Sequence, residues 1–172
     1  MQRKFYFICM CFLMHTTLTY AQSPYVVSED TQQPGEYIFN GIISKYALKN
    51  TPSMSWYASS EQEYTPQPEY VDAMQNAIGK FKFIVFGGTW CSDTRYILPK
   101  FFKIQDLSGF PDADISFFAV DRSKKTIGNI TSSLGITHVP TLIVMKDGKE
   151  IGRVVEYGST GEWDKELVGL LK

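Results

Sequence analysis

A cysteine placed directly after a tryptophan, where an apolar run ends and a helical pattern begins, is the part of this chain best equipped for chemistry: Phe86-Gly87-Gly88-Thr89-Trp90-Cys91-Ser92-Asp93-Thr94. A thiolate is both nucleophile and redox centre, and a free cysteine titrates near ~8.5, so its reactivity depends on its surroundings. At the start of a helix, unpaired backbone N–H groups and the macrodipole favour negative charge on sulfur. Thr94 lies one turn on, where its hydroxyl could donate to that sulfur; Arg95 would add positive charge as a modulator, and Asp93 negative. The chain has three cysteines, Cys9, Cys11 and Cys91, and the first two fall in a segment that reads as a removable leader. A lone thiol cannot close an intramolecular disulfide, so redox chemistry at Cys91 has to borrow a second thiol. The competing reading is an inert buried cysteine.

The leader spans residues 1–21. Arg3 and Lys4 precede an apolar stretch from Phe5 to Leu13, and Thr19-Tyr20-Ala21 sets small residues at the two key positions ahead of Gln22. That stretch is shorter than the ~20 apolar residues a membrane span needs, and the pattern is that of a cleavable signal peptide. The expected product is periplasmic or secreted, with no integral membrane span after cleavage. Cleavage would remove Arg3 and Lys4 but no acid, taking the formal net charge from −1 to −3. Such a balance leaves no basic footprint for nucleic acid. His138 and Cys91 would be the only histidine and cysteine left, so no metal is expected, and no cofactor is implied.

Around the cysteine, the elements that must position it follow from periodicity. Tyr70, Ala73, Met74, Ala77 and Ile78 mark one helix face, closed by Gly79. Phe81 to Phe86 reads as a strand buried on both faces. A helix from Ser92 to Leu107 follows, with Ile97, Phe101, Ile104 and Leu107 inward and Pro99 inside it as a kink. Next come a strand from Ile115 to Val120, a solvated charged loop from Asp121 to Lys125 and a short helix from Thr126 to Leu134. The strand from Thr141 to Met145 turns at Asp147-Gly148 into Glu150 to Val155, and a last helix carries Trp163, Leu167, Leu170 and Leu171. Parallel strands joined by helices, then an antiparallel hairpin, predict an α/β fold with a central mixed sheet flanked by helices. Upstream, residues 22–68 read as an N-terminal extension packing on a main domain of residues 69–172. Within it, Ser28 to Gly35 is a loop, Tyr37 to Ile43 a strand bulged at Gly41, Trp56-Tyr57 a further short strand, and Tyr64 to Pro68 a linker.

In their order, Trp90-Cys91 at the elbow, Pro99 eight residues on, Val139-Pro140-Thr141 opening a strand and the Asp147-Gly148 turn resemble the thioredoxin-like superfamily over roughly residues 69–172. The block Trp90-Cys91-Ser92-Asp93-Thr94-Arg95 is similar to that of a secreted thioredoxin-like group of Bacteroidota. The resemblance implies that Trp90 walls the sulfur and that Pro140 is a cis proline facing it. It also implies that the backbone of Val139 pairs with an extended substrate, with His138 near enough to act as base or cation. Two departures from the family pattern stand out: Thr94 replaces the second cysteine of Cys-x-x-Cys, and Val85 replaces a buried acid that handles its proton.

The resemblance with these departures implies an exported monothiol protein. Cys91 with Trp90 and Thr94 would form the reacting centre, and His138, Val139 and Pro140 would hold substrate. The mixed disulfide on Cys91 would be resolved by an external thiol, and the partner would be a disulfide- or thiol-containing protein or a small thiol. The alternative is a redox-silent binding module that uses the proline groove. A one-cysteine peroxidase is disfavoured, because residue 88, three before the cysteine, is Gly rather than Thr.

Overall fold

The apolar run that leads to the cysteine is a strand, β3 (Lys82–Gly87), and its side chains alternate between two separate cores. Phe83 and Val85 enter the larger core, while Phe86 enters a second one with Phe118, Val120, Val139 and Ile143. The computed structural model describes residues 23–172, so the expected leader, with Cys9 and Cys11, lies outside the described residues.

The sheet has six strands: β1 (Tyr25–Glu29), β2 (Tyr37–Ile43), β3, β4 (Ile115–Ala119), β5 (Thr141–Lys146) and β6 (Lys149–Val155), in the order β1-β2-β4-β3-β5-β6. Only β3 and β4 run parallel, in register Val85 to Phe117; β5 pairs with β3 antiparallel, Val85 to Leu142. This mixed sheet with its flanking helices is the expected α/β architecture, although one parallel pair is fewer than the sequence suggests. Between β4 and β5 the chain holds a single helical turn, α5 (Ile130–Ser133). It is too short to carry the chain back down the sheet, so β5 starts from the end where β4 stopped. The expected helix from Thr126 loses its first turn because Gly128 adopts a left-handed φ of +59°.

Helices α1 (Lys45–Lys49), α2 (Ser55–Gln62), α3 (Pro68–Asn76), α4 (Ser92–Ser108) and α6 (Trp163–Gly169) bring Leu48, Tyr57, Met74, Phe101 and Leu167 into the larger core. Pro68 opens α3, where a missing N–H costs nothing. Ile78, expected on its apolar face, lies beyond the helix end and is exposed. Along α4, Ile97, Phe101 and Ile104 are buried as the period predicts, and the helix continues through Pro99. Leu107, expected inward, is 58% exposed. The buried face ends instead on Gln105 and Ser108, because Gln105 Nε2 donates to the Phe110 carbonyl at 3.0 Å and so ties the helix end to the turn beyond it.

Trp56-Tyr57, expected as a strand, belongs to α2. Two adjacent apolar residues carry no period, and here Tyr57 plugs the core while Trp56 lies beside Arg95 of α4. The stretch expected as a loop from Ser28 gives its first two residues to β1; the turn proper begins after Glu29. Residues 25–43 furnish two strands of the sheet itself: β1 pairs with β2, and β2 pairs with β4 antiparallel through Gly41 and Ala119.

Candidate functional site: a thiol at the head of helix α4

Glycines shape the elbow. A Cβ on Gly87 would fall 2.6 Å from Leu98 Cδ1, so the end of β3 seats directly on α4. Thr89, Trp90 and Cys91 then turn the chain, with the Cys91 N–H donating to the Gly88 carbonyl at 2.9 Å. Cys91 is the N-cap of α4, in extended conformation, and its carbonyl accepts the Arg95 N–H at 3.0 Å. The sulfur is half-buried, and its S–H donates to the Val139 carbonyl at 3.1 Å. The Val139–Pro140 peptide is cis.

Trp90 packs on the smaller core, and its Nε1–H donates to the Val120 carbonyl at 3.0 Å. Thr94 is fully buried, but its hydroxyl does not serve the sulfur as expected. Its Oγ1 accepts the Gly88 N–H at 3.2 Å, with no hydrogen bond to Cys91 Sγ among the described residues. Arg95, expected as a modulator of the thiol, is spent elsewhere. Its Nε donates to the Thr89 carbonyl at 2.6 Å, and its Nη2 reaches Glu36 at 2.9 Å. The His138 ring lies exposed against the Thr137 hydroxyl at 3.0 Å, while its carbonyl accepts from Thr141. Of the residues singled out in the sequence, the fold thus gathers Trp90, Cys91, Val139 and Pro140 closely, sets Thr94 beneath them, and turns Arg95 and His138 to other partners. Val85 is fully buried among apolar side chains.

Asp93, in the first turn of α4, faces Tyr157. Burial, then the Asp93 carboxylate, push the Tyr157 hydroxyl above its ordinary range. Tyr157 follows Glu156, whose N–H donates to the Pro140 carbonyl at 2.8 Å, so it stands beside the proline loop. No local signal marks Tyr157. The same holds for the β1–β2 turn, which delivers two carboxylates to the elbow. Asp30, fully buried, takes three hydrogen bonds from the Arg122 guanidinium, the shortest 2.6 Å. That hydrogen bonding holds the Asp30 carboxyl below the usual carboxylate range. Arg122, expected on a solvated loop, is therefore anchored, and its guanidinium lies 5.3 Å from the Trp90 ring. Glu36 takes Arg95, and Thr89 Oγ1 donates to the Tyr37 carbonyl at 2.7 Å.

Chemically, the arrangement presents one half-buried nucleophile against a backbone carbonyl, with the neighbouring Trp90 indole turned toward Val120 and Arg122. Cys91 is the only cysteine among the described residues. Among the same residues, no group of three or more His, Cys, Asp or Glu is placed to hold a metal ion, and no helix is long and apolar enough to cross a membrane.

Known proteins are similar to this chain. A family model described as thioredoxin covers residues 43–162. Thioredoxin-1 of Saccharomyces cerevisiae is 32% identical over 82 residues, which are 46% of this chain and 74% of that one. Thioredoxin of Listeria monocytogenes is 31% identical over 82 residues, 48% of this chain and 75% of that one. Among solved structures, an HIV epitope scaffold superposes with a TM-score of 0.51 at 15% identity, over 74% of this chain and 90% of that chain, a likeness of fold alone.

Proposed function

Since the chain belongs to the thioredoxin family, we propose that it performs thiol–disulfide exchange as an exported monothiol protein, through a mixed disulfide on Cys91. One observation carries the reading: the half-buried Cys91 sulfur lies at the head of α4 against the Val139 carbonyl, with Thr94 where a resolving cysteine would stand. The Cys91 thiolate attacks a substrate disulfide, forming a Cys91–substrate S–S bond as the old S–S bond breaks, and the departing sulfur leaves as a thiolate that takes up a proton. An external thiol then attacks the mixed disulfide and releases Cys91, so that thiol becomes oxidised in turn. Export rests on the leader pattern of residues 1–21, and N-terminal sequencing of the exported protein should begin at Gln22.

Treatment of the full chain with a neutral disulfide, followed by peptide mapping, is expected to find a thiol-reversible adduct on Cys91 in the folded protein. Reaction of Cys91 only after unfolding would overturn the proposal. Thr94→Cys is expected to add dithiol-driven insulin reduction that the wild type lacks. Capture of a client that survives Cys91→Ser would support the binding-module reading instead.

A further inference from the structure

Lys100 makes no salt bridge among the described residues. Its side chain, on the second half of α4, is buried with 5% of the residue exposed. The ammonium sits 3.0 Å from the centre of the Tyr96 ring and 5.8 Å from that of Tyr64. Among the described residues, no carboxylate or carbonyl lies within hydrogen-bond or salt-bridge reach of it. The aromatic faces stabilise the ammonium through their π electrons. The ammonium borders a cavity of about 320 Å³ walled by Tyr64, Tyr96, Tyr157 and Trp163. Asp164 and Glu162 also line it: Asp164 accepts the Tyr64 hydroxyl at 2.7 Å and keeps its charge, whereas Glu162 is paired with Lys165 at 2.9 Å.

A relay of contacts leads from the thiol to the wall of this cavity, although Cys91 itself does not line it. The Cys91 sulfur meets Val139, Pro140 holds the Glu156 N–H, Tyr157 follows, and the Tyr157 ring lies 5.7 Å from the Tyr96 ring that covers Lys100. Lys100 lies nine positions beyond the N-cap Cys91, a rise of about 14 Å along the helix axis, the length of roughly four extended residues.

We infer that the Lys100 cavity is a substrate subsite that takes a carboxylate carried by the thiol or disulfide partner of Cys91. The inference rests on exchange at Cys91. An acidic side chain three or four residues from the client cysteine fits the spacing, laid across Tyr157 and Tyr96 with its carboxylate on the ammonium. A small acidic thiol offers the same group on a shorter frame.

The test uses cysteine peptides activated as pyridyl disulfides, identical except for Glu or Gln at the third or fourth position on either side of the cysteine. Attack by Cys91 forms the protein–peptide disulfide and expels pyridinethiolate, which is read by absorbance; the rate of Cys91→Ser is subtracted to remove reaction at Cys9 and Cys11. The wild type is expected to prefer a Glu peptide by roughly five- to ten-fold, with the preference falling as salt is added. Lys100→Met should erase the preference, and Lys100→Arg should keep most of it. Glutathione, as the small acidic thiol, should release the mixed disulfide faster than its diester does if the subsite also serves small thiols; equal rates confine it to peptides. Equal rates for Glu and Gln peptides at every position, with normal reaction toward neutral dipyridyl disulfide, would sink the subsite alone. Absence of reaction with dipyridyl disulfide would sink exchange itself, and the subsite with it. Should Lys100→Met fail to fold, the wild-type Glu-to-Gln comparison and its salt dependence still decide.

Discussion

A methyl group on Gly88 would fall 2.6 Å from Cε2 and Nε1 of Trp90, so the indole can lie against the elbow only because residue 88 has no side chain. Gly88→Ala is therefore expected to expel the ring and break its bond to the Val120 carbonyl, which a shift of the Trp90 indole resonance would report; an unchanged resonance would refute the argument. Thr94 is a companion case. Its hydroxyl accepts the Gly88 N–H, so Thr94→Val strands a buried donor and should cost about 1–2 kcal/mol in denaturant unfolding. Thr94→Ser should recover most of that loss. In the sequence, Thr94 reads as a stand-in for a cysteine that speaks to the sulfur. In the structure it braces the turn on which the sulfur is mounted. The type and position of the residue were legible; the direction of its hydroxyl was not, because a rotamer is chosen by neighbours that the elbow brings close.

Elements explain why that elbow is held so firmly. The β1–β2 turn clamps it from outside: Asp30 through Arg122 onto the face of Trp90, Glu36 through Arg95 onto the Thr89 carbonyl, and the Tyr37 carbonyl onto the Thr89 hydroxyl. The partners of these ion pairs lie 92 and 59 residues apart in the chain. Asp30→Asn leaves a guanidinium beside a neutral amide and should quicken amide exchange at residues 88–91 several-fold, along with the Trp90 indole N–H. Protection that stays at the wild-type level would mean the clamp is idle. Helix α4 shows plainly in the sequence because one face is apolar at a fixed period, and β3, β4 and β5 because each is a short, nearly continuous apolar run, with β6 following from the Asp147-Gly148 turn. The clamp has no such period; it depends on β2 pairing with β4, and nothing local in Asp30 or Glu36 announces it.

For the whole molecule, ionisation sets the limits of stability. Hydrogen bonds from Arg122, from Lys45 with Gln105 and Tyr46, and from Arg153 hold Asp30, Asp112 and Glu150 below their ordinary values, against the cost of burial. The Ser159 and Thr160 N–H and hydroxyl groups take Glu166 from 4.5 to about 2. Each folded value is depressed, so the stabilisation is complete above the unfolded values and is lost as pH falls through the folded ones. Melting temperature should therefore stay level down to about pH 5 and drop between about 4.5 and 2, and Glu166→Gln should flatten part of that slope. Lys45 works from the other side of the scale. Although burial opposes its charge, Asp106 and Asp112 raise its value, so its contribution persists until alkaline pH. Lys45→Met would leave Gln105 and two carboxylates without their cation. Those carboxylates are half-exposed and can rehydrate, so the loss should be about 1–2 kcal/mol rather than that of a sealed pair. Periodicity and turn chemistry, read along the chain, were enough to predict an α/β sheet with Cys91 at a strand-to-helix elbow, and the resemblance to the thioredoxin-like superfamily implied that Val139-Pro140 faces it. Tertiary structure alone decided that Trp56-Tyr57 is helical, that β5 runs antiparallel to β3, that Arg95 and Arg122 serve the N-terminal turn, that Tyr157 stands beside the proline loop, and that Lys100 lies against Tyr96. The division has one physical cause: elements are specified by the period of near neighbours, whereas charges, rotamers and cavities are specified by residues that meet only when the sheet has assembled.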